Sequence, residues 1–312
     1  MIEFADANEF IKNFEAIYSK HIIRIPYTTK DGLRKTILMS LCGKRYISLP
    51  YMSLGVIENK ITDRKKAPFM LFETEEGNII STSKKTWEIR DTSAHSHNIY
   101  SDKLFIWQDL TKKDSIMELY TSDIRRKVRK AIKNGIIVKH CNTKASLNDF
   151  YKVYTRRMHE IRTASQSKKT IYKAVQLGVT DIFVAYKQEN ANKLTIVGAA
   201  TLSKIKPDIY LNALFCTLSV YNKYYVSYLL HYNMMNYAKD KHAIYYSFGR
   251  CTRGSSVHNY KKHYKAEEIP LYWSYSKKII NIRKKQWLYK IWAKLPFWIT
   301  KQIGPIIHKY VY

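Results

Sequence analysis

The sequence predicts an α/β (α+β) fold with mixed, largely antiparallel sheets and a basic amphipathic helix toward its C-terminal end. Three observations carry that prediction. The first third holds short segments rich in β-branched and aromatic residues between polar turns. From there to residue 280, strand-like segments alternate with longer stretches of helical periodicity. Beyond them, Trp287, Leu288, Ile291, Trp292 and Leu295 fill one arc of a helical wheel, with Lys290 and Lys294 along its side.

Taken in order, Phe10, Ile11, Phe14, Ile17 and Tyr18 recur at helical spacing and predict an opening amphipathic helix. Short strands are expected at 34–41, 45–49, 69–73, 78–81 and 104–110. A helix over 115–133 stops at Gly135, since glycine accepts the left-handed conformation that closes helices. A strand begins at Ile136, and helices cover 147–162 and 168–177. Strands at 182–186, 194–203 and 209–217 follow, with a hairpin turn over 188–192. A helix over 224–239 leads into a strand at 243–248, a turn punctuated by Gly249 and Gly254, and a short basic helix.

With 312 residues the chain has room for two ordinary domains or one large one. Its 46% hydrophobic and 14% aromatic content exclude a disordered basic tail. The balance of 54 Lys+Arg against 25 Asp+Glu gives +29, more than solubility requires, and predicts an anionic partner: nucleic acid, anionic lipid or a phosphorylated substrate. Cys42, Cys141, Cys216 and Cys251 lack ligand spacing, so neither a metal site nor a disulfide framework is expected, and reduced thiols in a cytosol fit. The opening residues lack the pattern of a secretion signal, and no window reaches the ~18 apolar residues a membrane span requires.

The segment Phe248 to Tyr264 reads as strand, glycine-bearing loop and basic helix. Ser255 and Ser256 suit an N-cap, and the helix start beside Tyr260, Lys261 and Lys262 suits a phosphate or a developing oxyanion. A merely solvated basic turn has the same pattern.

Phe248-Gly249-Arg250, Gly254-Ser255, Tyr260-Lys261-Lys262, Ala266-Glu267 and Pro270-Leu271-Tyr272-Trp273 together resemble the closing signature of FemAB-type acyltransferases of the GNAT superfamily, in particular the branch linked to exopolysaccharide and PEP-CTERM systems. Leu49-Pro50-Tyr51 with Gly55, the basic run Arg125 to Gly135, Tyr151 with Tyr154 and Met158, and Leu295-Pro296-Phe297 with Gly304-Pro305 resemble further elements of these proteins in the same order. The resemblance covers most of the chain.

It implies two GNAT-like domains, 1–114 and 115–280, and the aromatic and lysine pattern of the segment that follows, 281–312, is read from its residues as a membrane-surface tail. With the scattered cysteines and that tail, the chain is expected to be a cytoplasmic enzyme, peripheral to the inner face of the cytoplasmic membrane. Such an enzyme passes an acyl or aminoacyl group to an amino group of a cell-envelope glycan, in peptidoglycan or polysaccharide biosynthesis, or of a lipid-linked precursor. The protein's part in that chemistry is to position the reactants, stabilise the oxyanion and assist proton removal. No permanently bound cofactor is implied. The donor stays open among acyl-CoA, acyl carrier protein and aminoacyl-tRNA, because Val220 to Ser227, around Tyr224, holds no glycine where a pyrophosphate-gripping loop is expected.

The resemblance makes Lys262 the first choice for contacting the donor phosphate or reacting carbonyl, with Arg250 and Lys261 beside it. The alternative leaves Lys261 in solvent and Arg250 on a carboxylate. Tyr260 either stacks on substrate or packs in the core, and Ser255, Ser256 and Tyr224 fall on the donor side. Glu160 or His159 is expected to accept a proton and Arg162 to hold an anionic group, while His258 is either a base or a surface residue. The chain departs from the family pattern at Ile161-Arg162, in place of Leu-Gly, at Ala164, in place of Pro, and at Lys265, in place of Gly.

Trp287, Trp292, Trp298, Lys290 and Lys294 are expected to meet an anionic membrane surface, the alternative being a helix packed on its own core. The charges of the basic run spread around their helix without a clean polar face and suit tRNA or lipid phosphates, or solvent. Two rival functions remain: a non-catalytic nucleic-acid-binding protein, and a membrane-surface scaffold with an inactive GNAT-like pocket.

Overall fold

A computed structural model describes residues 1–60, 67–190, 193–277 and 291–311. The N-terminal half runs β1 (Ile2–Phe4), α1 (Asn8–Tyr18), β2 (Ile22–Thr28), β3 (Arg34–Cys42), β4 (Arg45–Ile47), β5 (Val56–Glu58), β6 (Leu71–Glu73), β7 (Ile79–Ser81), β8 (Thr86–Asp91) and β9 (Ile99–Asp109). The remainder runs α2 (Ile116–Leu119), α3 (Ser122–Lys133), β10 (Ile136–His140), α4 (Lys144–Glu160), α5 (Lys168–Gln176), β11 (Thr180–Asn190), β12 (Lys193–Lys206) and β13 (Ile209–Thr217). A 3₁₀ turn (Ser219–Tyr224) then leads to α6 (Val226–Asp240), β14 (Tyr245–Thr252), α7 (Ser256–Lys262), β15 (Glu267–Tyr275) and α8 (Phe297–Val311).

Among the described residues all fifteen strands join one sheet, whose main path is β10-β11-β12-β13-β14-β9-β15-β8-β4-β3-β2-β6-β7. The halves interlock within it. β9 precedes the boundary expected at 114/115, yet it lies between β14 and β15 and pairs antiparallel with both.

Hydrophobic burial then covers the second half's sheet on two sides. Leu229, Leu230, Met234 and Met235 of α6 share a core with Ile124, Val128 and Ala131 of α3. Leu147, Phe150 and Val153 of α4 pack with Ile171 of α5 and with Ile182, Val184 and Cys216 of the sheet. α3 thereby acquires a clean division that the sequence reading did not expect: its three buried residues form one side, and Arg126, Arg129, Lys130 and Lys133 are exposed. The helix expected over 115–133 is two helices, because Thr121 starts a new one by accepting a hydrogen bond from the Ile124 N–H.

Two features of this sheet shape the site. β13 and β14 are parallel neighbours only from Ile209↔Tyr245 to Leu211↔Ser247, after which they part. β13 runs on beside β12, and β14 runs on beside β9 with a bulge between Ser247 and Gly249. At that bulge Gly249 has φ 72°, and a Cβ there would stand 3.2 Å from the Asn212 carbonyl oxygen. The second feature is Arg90 of β8, buried beside Glu88 at 2.8 Å, which donates to the carbonyls of Pro50 at 2.8 Å and Met52 at 2.7 Å. It thus anchors the Leu49-Pro50-Tyr51 loop, where Leu49 is left-handed at φ 60°.

Candidate active site

A cavity of about 200 Å³ lies where β13 and β14 part. Ala213 and Leu214 of β13, Thr201 and Ser203 of β12, and Arg250 of β14 form its sheet side. Thr170 and Ile171 of α5 cover it, and Tyr18, Tyr51 and His308 close it from α1, the Arg90-anchored loop and α8. Tyr51 stacks on Tyr18 at 4.3 Å and 13°, and on His308 at 6.1 Å and 9°. Burial drives the Tyr18 phenol up to about 12 and the His308 imidazole down to about 4, so both are neutral at pH 7. Arg250 is the one side chain on the described wall that is charged at every ordinary pH. Its guanidinium lies 5.3 Å from the centre of the Trp273 ring, and that of Arg90 lies 4.4 Å from it.

The two adjacent lysines exchange the environments expected of them. Lys262 is exposed on α7, whereas Lys261 is only 7% exposed. The Lys261 ammonium donates to the carbonyls of Gly249 at 2.9 Å and Arg250 at 3.1 Å. Desolvation lowers its pKa to about 8, with the Arg250 charge adding in the same direction. Lys261 therefore pins the bulge that carries Arg250.

At the start of α7, where an anion site is expected, two amides are taken by local partners. Ser255 Oγ accepts from the His258 N–H at 3.2 Å, and His258 Nδ1 accepts from the Gly254 N–H at 3.0 Å. His258 Nε2 consequently carries the proton and donates to Glu268 at 3.0 Å, which makes this buried residue neither a surface histidine nor a free base. Ser256 is exposed. Tyr260 is half-buried in an aromatic cluster, its hydroxyl 2.9 Å from that of Tyr264 and its ring edge-on to Tyr228 at 5.3 Å. His231, which sequence reasoning missed, stacks on Phe215 at 4.3 Å and meets the Tyr246 hydroxyl at 2.8 Å. Burial holds it well below the ordinary histidine range and hence neutral.

A second polar feature adjoins the parting strands. α6 starts at a left-handed Tyr225, φ 59°, with no side chain capping its first turn, where the positive end of the helix dipole lies. The Lys187 and Lys223 ammonium groups each lie 5.2 Å from the Tyr224 ring centre, and that of Lys127 lies 4.8 Å from the Tyr228 ring centre. Lys127 is shared with Asp123 at 2.6 Å and Lys187 with Glu189 at 2.8 Å. Such a helix start amid cations suits a phosphate.

The expected proton acceptors lie off the cavity wall. His159 Nδ1 is 2.9 Å from the Thr300 hydroxyl, and its ring meets Phe297 edge-on at 5.6 Å, so it fastens α4 to α8. Glu160 accepts from Arg157 at 2.8 Å and Ser219 at 3.4 Å. Arg162 is exposed and left-handed at φ 58°. Among the expected membrane residues Trp298 and Lys294 are exposed and Trp292 is half-buried, while Trp287 and Lys290 lie outside the described residues. The described part of the tail is docked on the protein. At Gly304 an added Cβ would stand 2.7 Å from Ser165 Oγ and 3.1 Å from its backbone nitrogen. Gly304→Val is accordingly expected to loosen α8 and cost about 1–3 kcal/mol, measurable by urea unfolding and faster proteolysis after residue 290. Among the described residues no cluster has the makeup of a metal site, and no helix is long and apolar enough to cross a membrane.

No protein-family model and no curated protein matches the sequence. Solved structures do. The crystal structure of FemX superposes with a TM-score of 0.57 over 90% of this chain and 93% of that one, at 10% identity. The fold is FemAB-like. The C-terminal domain of a putative lysylphosphatidylglycerol synthetase from Agrobacterium fabrum matches with a TM-score of 0.54 at 11% identity, covering 84% of this chain and 85% of its own. L-PGS from Bacillus licheniformis matches with a TM-score of 0.51 at 11% identity, covering 95% and 99%. This FemX-like architecture agrees with the mixed, largely antiparallel fold expected from the sequence.

Proposed function

We propose that the protein is an acyltransferase that passes an acyl or aminoacyl group to an amino group of a cell-envelope glycan or lipid-linked precursor. The carrying observation is the cavity at the parting of β13 and β14, with Arg250 on its wall. In this reading the donor's phosphates lie at the α6 start and its carbonyl enters the parting. The acceptor amine occupies the cavity, oriented by Arg250 and the Tyr51 face. The amine nitrogen bonds to the carbonyl carbon, the carbon–sulfur or carbon–oxygen bond to the carrier breaks, and the amine releases a proton. No carboxylate lines the described wall, so that proton passes to the departing carrier or to water. The fold it shares with a protein named for lysylphosphatidylglycerol favours an aminoacyl donor.

Purified protein supplied with labelled acyl-CoA, acyl carrier protein or aminoacyl-tRNA and envelope-precursor extracts is expected to label an amine from one of them. Arg250→Gln should lower that kcat/KM about 100-fold, the scale of a misplaced reactant. Absence of transfer from all three donors removes the proposal.

A further inference from the structure

α8 has two faces of different chemistry. Its inner face holds Thr300, 3% exposed, the buried Gly304, and the cavity residue His308. At 100° per residue, Trp298, Gln302, Pro305 and Ile306 fall on the opposite arc. There Trp298 is 63% and Ile306 59% exposed, with exposed Lys301 at the side. Just before the helix, exposed Ile291 and Lys294 extend the same mixture of apolar and cationic groups.

A tryptophan and an isoleucine left in water on one helix face call for a partner, and the surrounding charge selects it. A second copy of this chain, also carrying +29, is repelled. A nucleic acid meets the lysines and can stack a base on Trp298, but it offers Ile306 no apolar surface. An anionic bilayer satisfies both, taking the apolar side chains at the headgroup boundary while Lys294 and Lys301 meet lipid phosphates.

We infer that the outer face of α8 docks on an anionic membrane surface, and that the same helix holds one wall of the cavity beside that surface. Taken with the transferase reading, on which this clause alone rests, the acceptor amine is then carried by a lipid-linked molecule.

The test is flotation of the full chain with vesicles of phosphatidylcholine, with and without phosphatidylglycerol. Wild type is expected to float with the anionic vesicles, and less as salt rises. Trp298→Ser with Ile306→Ser should lower the bound fraction at least ten-fold with an unchanged melting curve, both side chains being solvent-exposed. Lys294→Gln with Lys301→Gln should weaken binding and flatten its salt dependence. Equal flotation of the Ser/Ser variant and wild type, equal binding to neutral vesicles, or no binding at all overturns the inference. Because flotation needs no turnover, it fails or holds separately from the transfer assay.

Discussion

Gly249→Val is expected to abolish transfer and lower the thermal midpoint by roughly 4–20 °C. A β-branched residue at φ 72° is held in a conformation that costs L-residues ~1–2 kcal/mol. Its Cβ must also displace the Asn212 carbonyl, 3.2 Å away across the parting strands, and overpacking of this kind costs ~1–3 kcal/mol more. The sum, at the ~2–4 °C per kcal/mol of a large domain, gives the stated range. Gly249→Ala should fall between the two. The bulge also carries Arg250, so the site deforms even where the fold survives. Calorimetry beside the transfer assay checks both parts, and a valine variant that melts like wild type would show that this backbone is not constrained.

Legibility in the sequence followed the locality of the signal. Helices such as α1, α4 and α5 announced themselves through apolar spacing, and β12 and β13 through runs of β-branched and aromatic residues. β8 went unread because Glu88, Arg90 and Asp91 are all buried, and a strand whose inward groups are charged lacks the usual alternation. Its charges are matched locally by the Arg90–Glu88 pair and loop carbonyls, which no spacing rule reports. Pro26 likewise obscured β2, although it faces Thr36 in the β3 register. The insertion of β9 between β14 and β15 is long-range pairing and leaves no local mark.

The site was legible in position and less so in detail. Arg250 and the glycine bulge were picked out, but two adjacent lysines on a short helix differ by 100° of rotation, and only the packed neighbours show that Lys261 turns inward. Departures from the family pattern proved informative in backbone terms. Arg162 and Lys265 stand where that pattern has glycine, and both keep left-handed conformations, φ 58° and 51°. Both positions hold a backbone that glycine adopts more readily than these residues do.

Lys261→Met provides the second large effect, and its pH dependence separates it from a general loss of packing. Methionine approximates the length of the side chain but leaves the Gly249 and Arg250 carbonyls without their cationic donor. Arg250 loses its fixed position, and turnover should fall about 100-fold. Stability should respond differently. In wild type the buried ammonium titrates near 8, against 10.5 in the unfolded chain, so below pH 8 its burial costs the folded state about 3 kcal/mol. Between those two values the unfolded chain binds more protons, and this group's contribution to stability therefore rises with pH. The methionine variant lacks that rise. Urea unfolding of both proteins below pH 8 and near pH 10.5 should therefore show wild type gaining about 3 kcal/mol relative to the variant. A difference that stays flat across this window would mean that Lys261 is hydrated in solution. The loss of turnover would then have to come from something other than a pinned bulge.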